Sequence, residues 1–406
     1  MPLGIYISVP FCKSKCSYCN FATGVVSKSA YARYVDRVCN DVAGAKATAQ
    51  SIGGVYSGEV NTVFLGGGTP TILEPADLER LFRAVRENFQ VAPNAEITVE
   101  CAPGTLTPSH LEVLLRCGVN RVSLGVQSWV DAEAAAVGRL HTRAGVLEDV
   151  AALRAAGVDD INVDLIAGLP HQTPESWEFS IQEAIAIGVP HISVYMLEVD
   201  EDSRLGRELM AGGTKYHAHF VPNEDLTAEF YTEACRRLDD AGIRQYEISN
   251  FARASRESRH NLKYWERQPY FGFGVDAHSM LLASSRAAAA VRFATADDTK
   301  SWLAGAPVEV HDVSPAAALE EALFLGLRLN RGVAEQDLVA EFGSAAMAEI
   351  RPVVDELIDY ELLERWQAQE RNGIRLTARG RLLSNEVFAR FLDLGVPACA
   401  DPTESR

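Results

Sequence analysis

The chain has 406 residues, of which 47% are hydrophobic and 23% charged, a composition that suits a globular protein of about two or three domains. A formal net charge of −17 without an offsetting basic block argues against nucleic acid or an anionic membrane as a partner. Neither a long apolar run nor a basic leader followed by an apolar stretch occurs, so the sequence predicts a cytoplasmic protein whose thiols stay reduced.

Six short apolar segments in the first half alternate with stretches whose apolar residues recur every three or four positions. The predicted strands are residues 4–9, 61–66, 95–100, 120–126, 160–168 and 191–197. This alternation indicates parallel strands joined by right-handed helical crossovers. We therefore predict an α/β fold in which residues 1–225 form a partial (β/α)6 barrel of the TIM type, with its chemistry where the strands end.

The pattern changes near residue 226 and predicts a bridging segment, residues 226–312. Within it, residues 245–252 are predicted to form one strand. The segment RHNLKYW, residues 259–265, is predicted to open a loop. Residues 285–310 are rich in alanine and interrupted by proline, which favours a linker.

Residues 313–395 show helical periodicity on both sides of a predicted hairpin at 364–377, and residues 396–406 are predicted to form a tail. This order predicts a small helical domain with a winged-helix-like outline. Such an outline usually suggests DNA binding, but the acidic composition favours packing against protein instead.

Cys12, Cys16 and Cys19 follow the first predicted strand with C-x3-C-x2-C spacing. A structural zinc site usually takes four protein ligands, and no second Cys or His pair follows at short range. Thiolates also suit iron–sulfur clusters, and three of them can hold three irons of a cubane and leave the fourth open. An open iron is what the amino and carboxylate groups of S-adenosylmethionine need, so the motif predicts cofactor-borne radical chemistry. The other cysteines are interpreted as packing residues: Cys39, Cys101, Cys117, Cys235 and Cys399.

The cysteine spacing, with Tyr18 just before the last cysteine, resembles that of the radical S-adenosylmethionine family. The segments FLGGGTPTIL, INVDLIAGLPHQTPESW and YEISNFA are similar to one branch of it, which contains the oxygen-independent coproporphyrinogen III oxidases and the HemW heme chaperones. The resemblance covers nearly the whole chain. It implies a radical barrel with a HemN-type C-terminal domain, a 4Fe–4S cluster, S-adenosylmethionine, heme, and an electron donor for the cluster.

The resemblance also implies a cofactor pocket around the ends of the predicted strands. Its S-adenosylmethionine residues are Tyr6, Tyr18, Gly67, Gly68, Thr69, Glu100, Gln127, Arg139 and Asp164. Carboxylates attract a cationic cofactor, and an arginine can pair the cofactor carboxylate or a barrel acid. Each residue also has a plainer interpretation, since glycine turns are commonly only tight turns, Asp164 could cap a helix and Glu100 could be solvated.

Two features favour a heme chaperone over an oxidase. Phe21 stands where the oxidase has a further cysteine, and the chain begins without the oxidase's N-terminal arm. In addition, His260, Asn261, Tyr264 and Trp265 form the HNxxYW pattern of HemW proteins. A histidine beside aromatic rings can ligate iron and stack on a porphyrin, although it can also be a core residue of an aromatic loop.

One departure from the HemW pattern bears on heme ligation. Ser8 stands where a histidine is usual, which removes one possible ligand. His278 is the second candidate for heme iron, and His217 and His219 form a metal-like pair in a polar loop. We expect a protein that binds heme and passes it to a membrane-associated acceptor protein without coproporphyrinogen oxidase activity. The alternatives are an oxidase that decarboxylates two propionates and a radical enzyme acting on another small molecule.

Overall fold

The computed structural model describes residues 1–285 and 287–392, and most of this chain is built around one large sheet. Its strands are β1 (Leu3–Val9), β2 (Glu59–Gly67), β3 (Gln90–Cys101), β4 (Arg121–Gln127), β5 (Asp160–Ala167), β6 (His191–Met196), β7 (Arg244–Gln245), β8 (Asn250–Ala252), β9 (Tyr270–Gly274), β10 (His278–Leu282), β11 (Ala290–Ala294) and β12 (Glu309–Val313). In the described residues these twelve strands have the spatial order β12-β11-β10-β9-β1-β2-β3-β4-β5-β6-β8-β7. Cys399 and the predicted tail at 396–406 lie outside the described residues.

Strands β1 to β6 pair in chain order and run parallel, which confirms the predicted partial (β/α)6 barrel. Parallel strands are covered on both faces, so they form nearly continuous apolar runs. In β1, for example, Leu3, Ile5, Ile7 and Val9 are all at most 1% exposed. Strand β9 pairs parallel with β1 and extends the sheet on that side.

Helices cross between the parallel strands and cover the sheet, and further helices follow in the C-terminal part of the chain. They are α1 (Lys28–Ser51), α2 (Pro75–Asn88), α3 (Pro108–Arg116), α4 (Asp131–Ala136), α5 (Arg143–Ala155), α6 (Pro174–Ala186), α7 (Arg204–Ala211), α8 (Glu224–Asp240), α9 (Arg259–Trp265), α10 (Thr299–Leu303), α11 (Pro315–Gly326), α12 (Glu335–Asp359), α13 (Ala378–Leu382) and α14 (Ser384–Ala389). The local sequence determines where several helices begin, because Thr107 and Thr173 cap α3 and α6 with their hydroxyls and a proline follows each threonine. No helix in the described part of the chain is long and apolar enough to cross a membrane.

Three local predictions in the bridging segment are wrong. Residues 245–252 form two short antiparallel strands, β7 and β8, because the buried Glu247 side chain accepts hydrogen bonds within the turn between them. RHNLKYW forms helix α9 instead of a loop, since Ser258 caps it. Residues 285–310 contain β11, α10 and the first two residues of β12, and the two strands continue the large sheet beyond β10.

The C-terminal residues form helices α11 to α14 and a small sheet of strands β13 (Val333–Ala334), β14 (Leu363–Ala368) and β15 (Arg371–Leu376). Strands β14 and β15 form the predicted hairpin, and β13 pairs with β15. The apolar core of this region also includes Ile248, Tyr270 and Met280, which come from the bridging segment. The C-terminal helices therefore pack directly on the extension of the barrel sheet.

Candidate functional site

The three predicted cluster ligands lie on the loop after β1, residues 10–27, which we call the cluster loop. Their thiols are free, and each has one polar side chain close to its sulfur. These neighbours are Thr69 Oγ1 at 3.9 Å from Cys12 Sγ, Arg139 Nη1 at 3.7 Å from Cys16 Sγ and Thr23 Oγ1 at 3.7 Å from Cys19 Sγ. Such hydroxyl and guanidinium groups stabilise a thiolate, the form of cysteine that binds metal. Burial raises the pKa of the Cys12 thiol, so binding iron there releases a proton.

The donor set fits a cluster in its chemistry, since three thiols share one loop and each has a polar neighbour. The fit is one of donor type and not of closed geometry, because across residues 1–285 and 287–392 no three or more His, Cys, Asp or Glu side chains, these thiols included, are placed so that they could hold a metal ion. Of His217 and His219, the predicted metal-like pair, neither belongs to a group of three or more such side chains that could hold a metal ion in the described part of the chain. His217 instead lies beside His171, with 3.1 Å between Nδ1 and Nε2 of the two rings.

The glycine turn after β2 packs against the cluster loop. The N–H of Gly68 donates to the carbonyl of Val9 at 2.8 Å, and the N–H of Thr69 donates to the carbonyl of Phe11 at 2.8 Å. A Cβ atom at Gly68 would lie only 2.6 Å from the Phe11 oxygen and 2.7 Å from the Val9 oxygen. Glycine is therefore required here for the backbone of the turn to approach the cluster loop.

Glu100 and Asp164, both half-buried, place two carboxyl groups on the inside of the barrel. Burial and the nearby charge of Asp164 raise the pKa of Glu100 to about 8, although the Gly67 N–H donates to Glu100 Oε2 at 3.1 Å. Burial also raises the pKa of Asp164, which accepts hydrogen bonds from Asn162 at 2.8 Å and Ser123 at 3.2 Å. A cationic ligand would stabilise the charged forms of both groups.

Gln127 and Arg139 meet at the end of β4. Gln127 has a φ of 69°, and its buried Oε1 has no hydrogen-bond partner, so an acceptor is left unsatisfied at the end of this strand. Arg139 donates to the carbonyl of Gly125 and also reaches Cys16. Its guanidinium thus ties the end of β4 to the cluster loop.

The two predicted tyrosines have different surroundings. Tyr18 packs against Val137, Ile166 and Leu169, and burial raises its pKa. Tyr6 projects from the middle of β1, where a Cβ atom on Gly67 would lie 3.3 Å from its hydroxyl. Burial, followed by the charge of Glu100, raises the pKa of Tyr6, so its hydroxyl remains a neutral donor.

A cavity of about 280 Å³ runs down the inside of the barrel and joins two groups of predicted residues. Tyr6, Glu100 and Asp164 of the predicted S-adenosylmethionine pocket line it, together with His260, Asn261 and Tyr264 of the HNxxYW motif. The motif and the cluster loop nevertheless lie at opposite ends of the strands. Helix α9 packs at the amino-terminal end, where Lys263 Nζ donates to the Pro2 carbonyl at 2.9 Å, whereas the cluster loop follows the carboxyl end of β1.

Helix α9 is held on the barrel by a buried carboxylate on β3. Glu96 accepts hydrogen bonds from the backbone N–H groups of Arg259 at 2.9 Å and His260 at 2.8 Å, so a negative charge faces the positive end of the helix. His260 is only 1% exposed, and both of its ring nitrogens are hydrogen-bonded. Trp265 does not belong to the residues that line the cavity, because its ring lies under the guanidinium of Arg328 at 4.3 Å.

Comparison with known proteins gives the family. The family model "Radical SAM superfamily" matches residues 6–184, and "HemN C-terminal domain" matches residues 313–383. The chain is 35% identical to the heme chaperone HemW of Synechocystis sp. over 82% of this chain and 79% of that protein. It is 32% identical to HemW of Bacillus subtilis over 95% and 98% of the two chains. The chain belongs to the HemW family. Membership implies a 4Fe–4S cluster and S-adenosylmethionine, the two cofactors expected from the cysteine motif.

The fold of this HemW family member is also seen in a solved structure. Coproporphyrinogen III oxidase (HemN) from Escherichia coli superposes with a TM-score of 0.79 at 23% identity, over 96% of this chain and 90% of that one. At this identity the likeness establishes the architecture of the barrel and its C-terminal domain. It does not extend the oxidase's activity to the HemW family member.

Several cavity residues were missed by the sequence analysis. Asn162, His191, Ser193 and Arg121 all line the cavity, and they lie on β4, β5 and β6. The signal was their alternation, because residues two apart on a strand face the same side, as Asn162 and Asp164 do. A polar residue at such a position in an otherwise apolar buried strand indicates the inside of the barrel.

Proposed function

We propose that this protein is a heme chaperone that carries a 4Fe–4S cluster, binds S-adenosylmethionine and heme, and transfers heme to an acceptor protein. The observation that carries the proposal is one cavity lined both by predicted S-adenosylmethionine residues and by the HNxxYW motif, in a member of the HemW family. The HemW proteins to which the chain is similar are named as heme chaperones.

We assign the cluster to Cys12, Cys16 and Cys19, and the cofactor pocket to the predicted residues around Gly67, Glu100 and Asp164. When bound, the reduced cluster supplies one electron for cleavage of the cofactor sulfonium. The side chains and backbone of the pocket bind the cofactor and orient it. The carboxyls of Glu100 and Asp164 attract a cation or hydroxyl groups, and the bare backbone of the glycine turn admits close approach.

We assign heme binding to the neighbourhood of helix α9. A cavity of about 280 Å³ is below the range of roughly 300–1,000 Å³ typical of sites for drug-sized ligands, so it does not accommodate a porphyrin beside a second cofactor. Heme binding therefore requires helix α9 to shift or the porphyrin to bind on its outer side. His260 is the first candidate for the axial ligand, and the exposed His278 is the second.

The residue at position 21 argues against the oxidase alternative. Phe21 follows the third cluster cysteine by two positions and is 64% exposed, so a large apolar side chain replaces a possible thiol at the edge of the cluster loop. We accordingly propose that coproporphyrinogen oxidase activity is absent. The acceptor for heme is a protein, proposed to be membrane-associated, and the cluster receives its electron from a separate donor in the cytoplasm.

The test is a heme titration of anaerobically reconstituted wild type and of H260A, followed by Soret absorption. We expect saturable binding near one heme per chain in the wild type, and a changed spectrum in H260A. Absence of saturable binding by the wild type refutes the chaperone proposal. Identical spectra in the two proteins keep the proposal but exclude His260 as the ligand, and H278A is then measured in the same way.

A further inference from the structure

A continuous series of hydrogen bonds connects the predicted cofactor pocket with the start of helix α9. Asn162 Nδ2 donates to Asp164 Oδ1 at 2.8 Å, and Asn162 Oδ1 lies 2.6 Å from His191 Nδ1. His191 Nε2 lies 3.0 Å from the hydroxyl of Tyr246, which accepts from the backbone N–H of Ser258 at 3.2 Å. Ser258 is the residue that caps helix α9. The series therefore spans the barrel from its cofactor half to the HNxxYW motif.

The direction of each hydrogen bond in this series is fixed by its neighbours. An amide oxygen can only accept, so Nδ1 of His191 carries the proton and Nε2 of the same ring is the acceptor. The Tyr246 hydroxyl then donates to Nε2, and its oxygen remains free to accept from Ser258. Burial keeps His191 neutral by lowering its pKa well below the usual range, and the charge of Arg121 acts in the same sense.

Three members of the series are buried and Asp164 and Tyr246 are half-buried, which makes the hydrogen bonds sensitive to one another. Asn162, His191 and Ser258 are at most 4% exposed, so water does not readily replace a broken bond. Hydrogen bonds in such surroundings polarise their neighbours. A ligand that stabilises the charged form of Asp164 also strengthens the bond from Asn162, because bonds to charged groups are stronger than bonds between neutral groups.

We propose that Asn162, His191 and Tyr246 are positioning residues that couple S-adenosylmethionine binding at Asp164 to the seating of helix α9. The inference rests on the proposed function for the identity of the ligand, but not on heme binding. Occupation of the cofactor pocket holds the HNxxYW helix more firmly on the barrel, and loosening of that helix lowers cofactor affinity by the same factor. A heme chaperone with this coupling would hold and release heme according to its cofactor state.

The experiment measures amide hydrogen exchange in the segment 258–268 of reconstituted protein, with and without S-adenosylmethionine and in the absence of heme. The main variant is Y246F, which removes the bridging hydroxyl and keeps the ring. H191Q interrupts the series one residue earlier. The matched control is Y231F, since the Tyr231 hydroxyl is also buried and makes two hydrogen bonds, to Ile248 and Gln245, outside the series.

In the wild type and in Y231F we expect the cofactor to slow exchange in this segment about fivefold or more, the lower end of typical coupling. In Y246F and H191Q we expect this slowing to be lost while protection near the glycine turn, residues 66–69, remains. Equal slowing in all four proteins overturns the coupling, and so does a wild type protected at 66–69 alone. A wild type protected in neither segment overturns the proposed cofactor pocket itself, and the coupling with it.

Discussion

The hydroxyl of Tyr264 lies 2.8 Å from Nε2 of His260, and the hydroxyl of Thr62 lies 2.8 Å from Nδ1 of the same ring. Burial, with a smaller effect of the Lys263 charge, lowers the pKa of His260 to about 3, so the ring is neutral at neutral pH. A neutral imidazole has a lone pair for iron. Ligation through Nε2 must first displace the Tyr264 hydroxyl.

This arrangement predicts that Y264F binds heme more tightly than the wild type when His260 is the axial ligand. Removal of a competing hydrogen bond is worth about 0.5–1.5 kcal/mol, which corresponds to an affinity gain of roughly two- to tenfold, and the phenylalanine keeps the ring for porphyrin packing. The measurement is a Soret titration of both proteins, with T62V as a control for the other nitrogen. Weaker binding by Y264F would show that the hydroxyl contributes to the heme site.

Glu100 predicts a pH dependence of cofactor binding. Its carboxyl has a pKa of about 8 in the folded chain because of burial and the charge of Asp164, against 4.5 when exposed. Cofactor binding favours the ionised form, so affinity for S-adenosylmethionine should rise with pH up to about pH 8 and level off above it. The affinity is read from the EPR response of the reduced cluster, and E100Q should lack this rise.

E100A or D164A should also weaken cofactor binding at a single pH. Loss of one charge-assisted contact costs about 1.5–3 kcal/mol, which is roughly a tenfold to hundredfold change in affinity. Unchanged affinity in both variants would remove these residues from the pocket.

The raised pKa of Glu100 also predicts how the stability of the folded chain changes with pH. Between about pH 4.5 and pH 8 the folded chain keeps a proton on Glu100 that the unfolded chain has released. The contribution of protonated Glu100 to the free energy of unfolding is therefore fully present below about pH 4.5 and is lost as the pH rises through about 8. The free energy of unfolding of E100Q should fall less steeply over this window than that of the wild type. A steeper fall for E100Q would contradict the assignment.

Gly68 predicts a backbone requirement at the contact between the glycine turn and the cluster loop. Alanine in G68A would place Cβ within 2.7 Å of two backbone carbonyl oxygens, so the turn or the cluster loop has to move, at a cost of about 1–3 kcal/mol. We expect lower thermal stability and poorer cluster retention. G24A is the matched control, because a Cβ at Gly24, on the cluster loop, meets nothing within 4 Å. Equal behaviour of the two variants would refute the requirement.

The elements that could be predicted from the sequence are those that the local composition indicates, whereas the missed elements depend on partners that are distant in the chain. Strands β1 to β6 are buried on both faces and therefore appear as apolar runs. Helix α9 has only seven residues, and its stabilising partner Glu96 is 163 positions away from Arg259. Strand β11 occurs in an alanine-rich segment of low strand propensity and forms because β10 offers an edge to pair with, and β12 in turn pairs with β11.

The candidate site divides in the same way. Cys12, Cys16 and Cys19 were predicted from spacing alone, since three ligands on one loop leave a short-range pattern. The roles of Glu100 and Asp164 were predicted only through the resemblance to a family, because a single carboxylate at a strand end does not by itself indicate one function. His191 and Tyr246 could not be recognised, because their roles depend on partners brought together by strands β5 and β6, the turn after β7 and the cap of helix α9.

The cysteine assignment predicts distinct outcomes for two sets of variants. Alanine at Cys12, Cys16 or Cys19 should abolish the visible absorption of the reconstituted cluster, because each thiolate holds one iron. A combined replacement of the cysteines outside the loop should leave the absorption unchanged. These are Cys39, Cys101, Cys117, Cys235 and Cys399. Full iron and sulfide content in a triple variant of the loop cysteines would contradict the assignment.

The most direct test asks whether the protein binds heme and lacks coproporphyrinogen oxidase activity. Reconstituted wild type is supplied with heme and, in parallel, with coproporphyrinogen III, under reducing anaerobic conditions with S-adenosylmethionine. Heme binding is followed by Soret absorption and porphyrinogen conversion by chromatography of the oxidised porphyrins. We predict saturable heme binding and no decarboxylated product. Conversion of coproporphyrinogen III to its vinyl product, without saturable heme binding, would contradict this prediction and establish the oxidase.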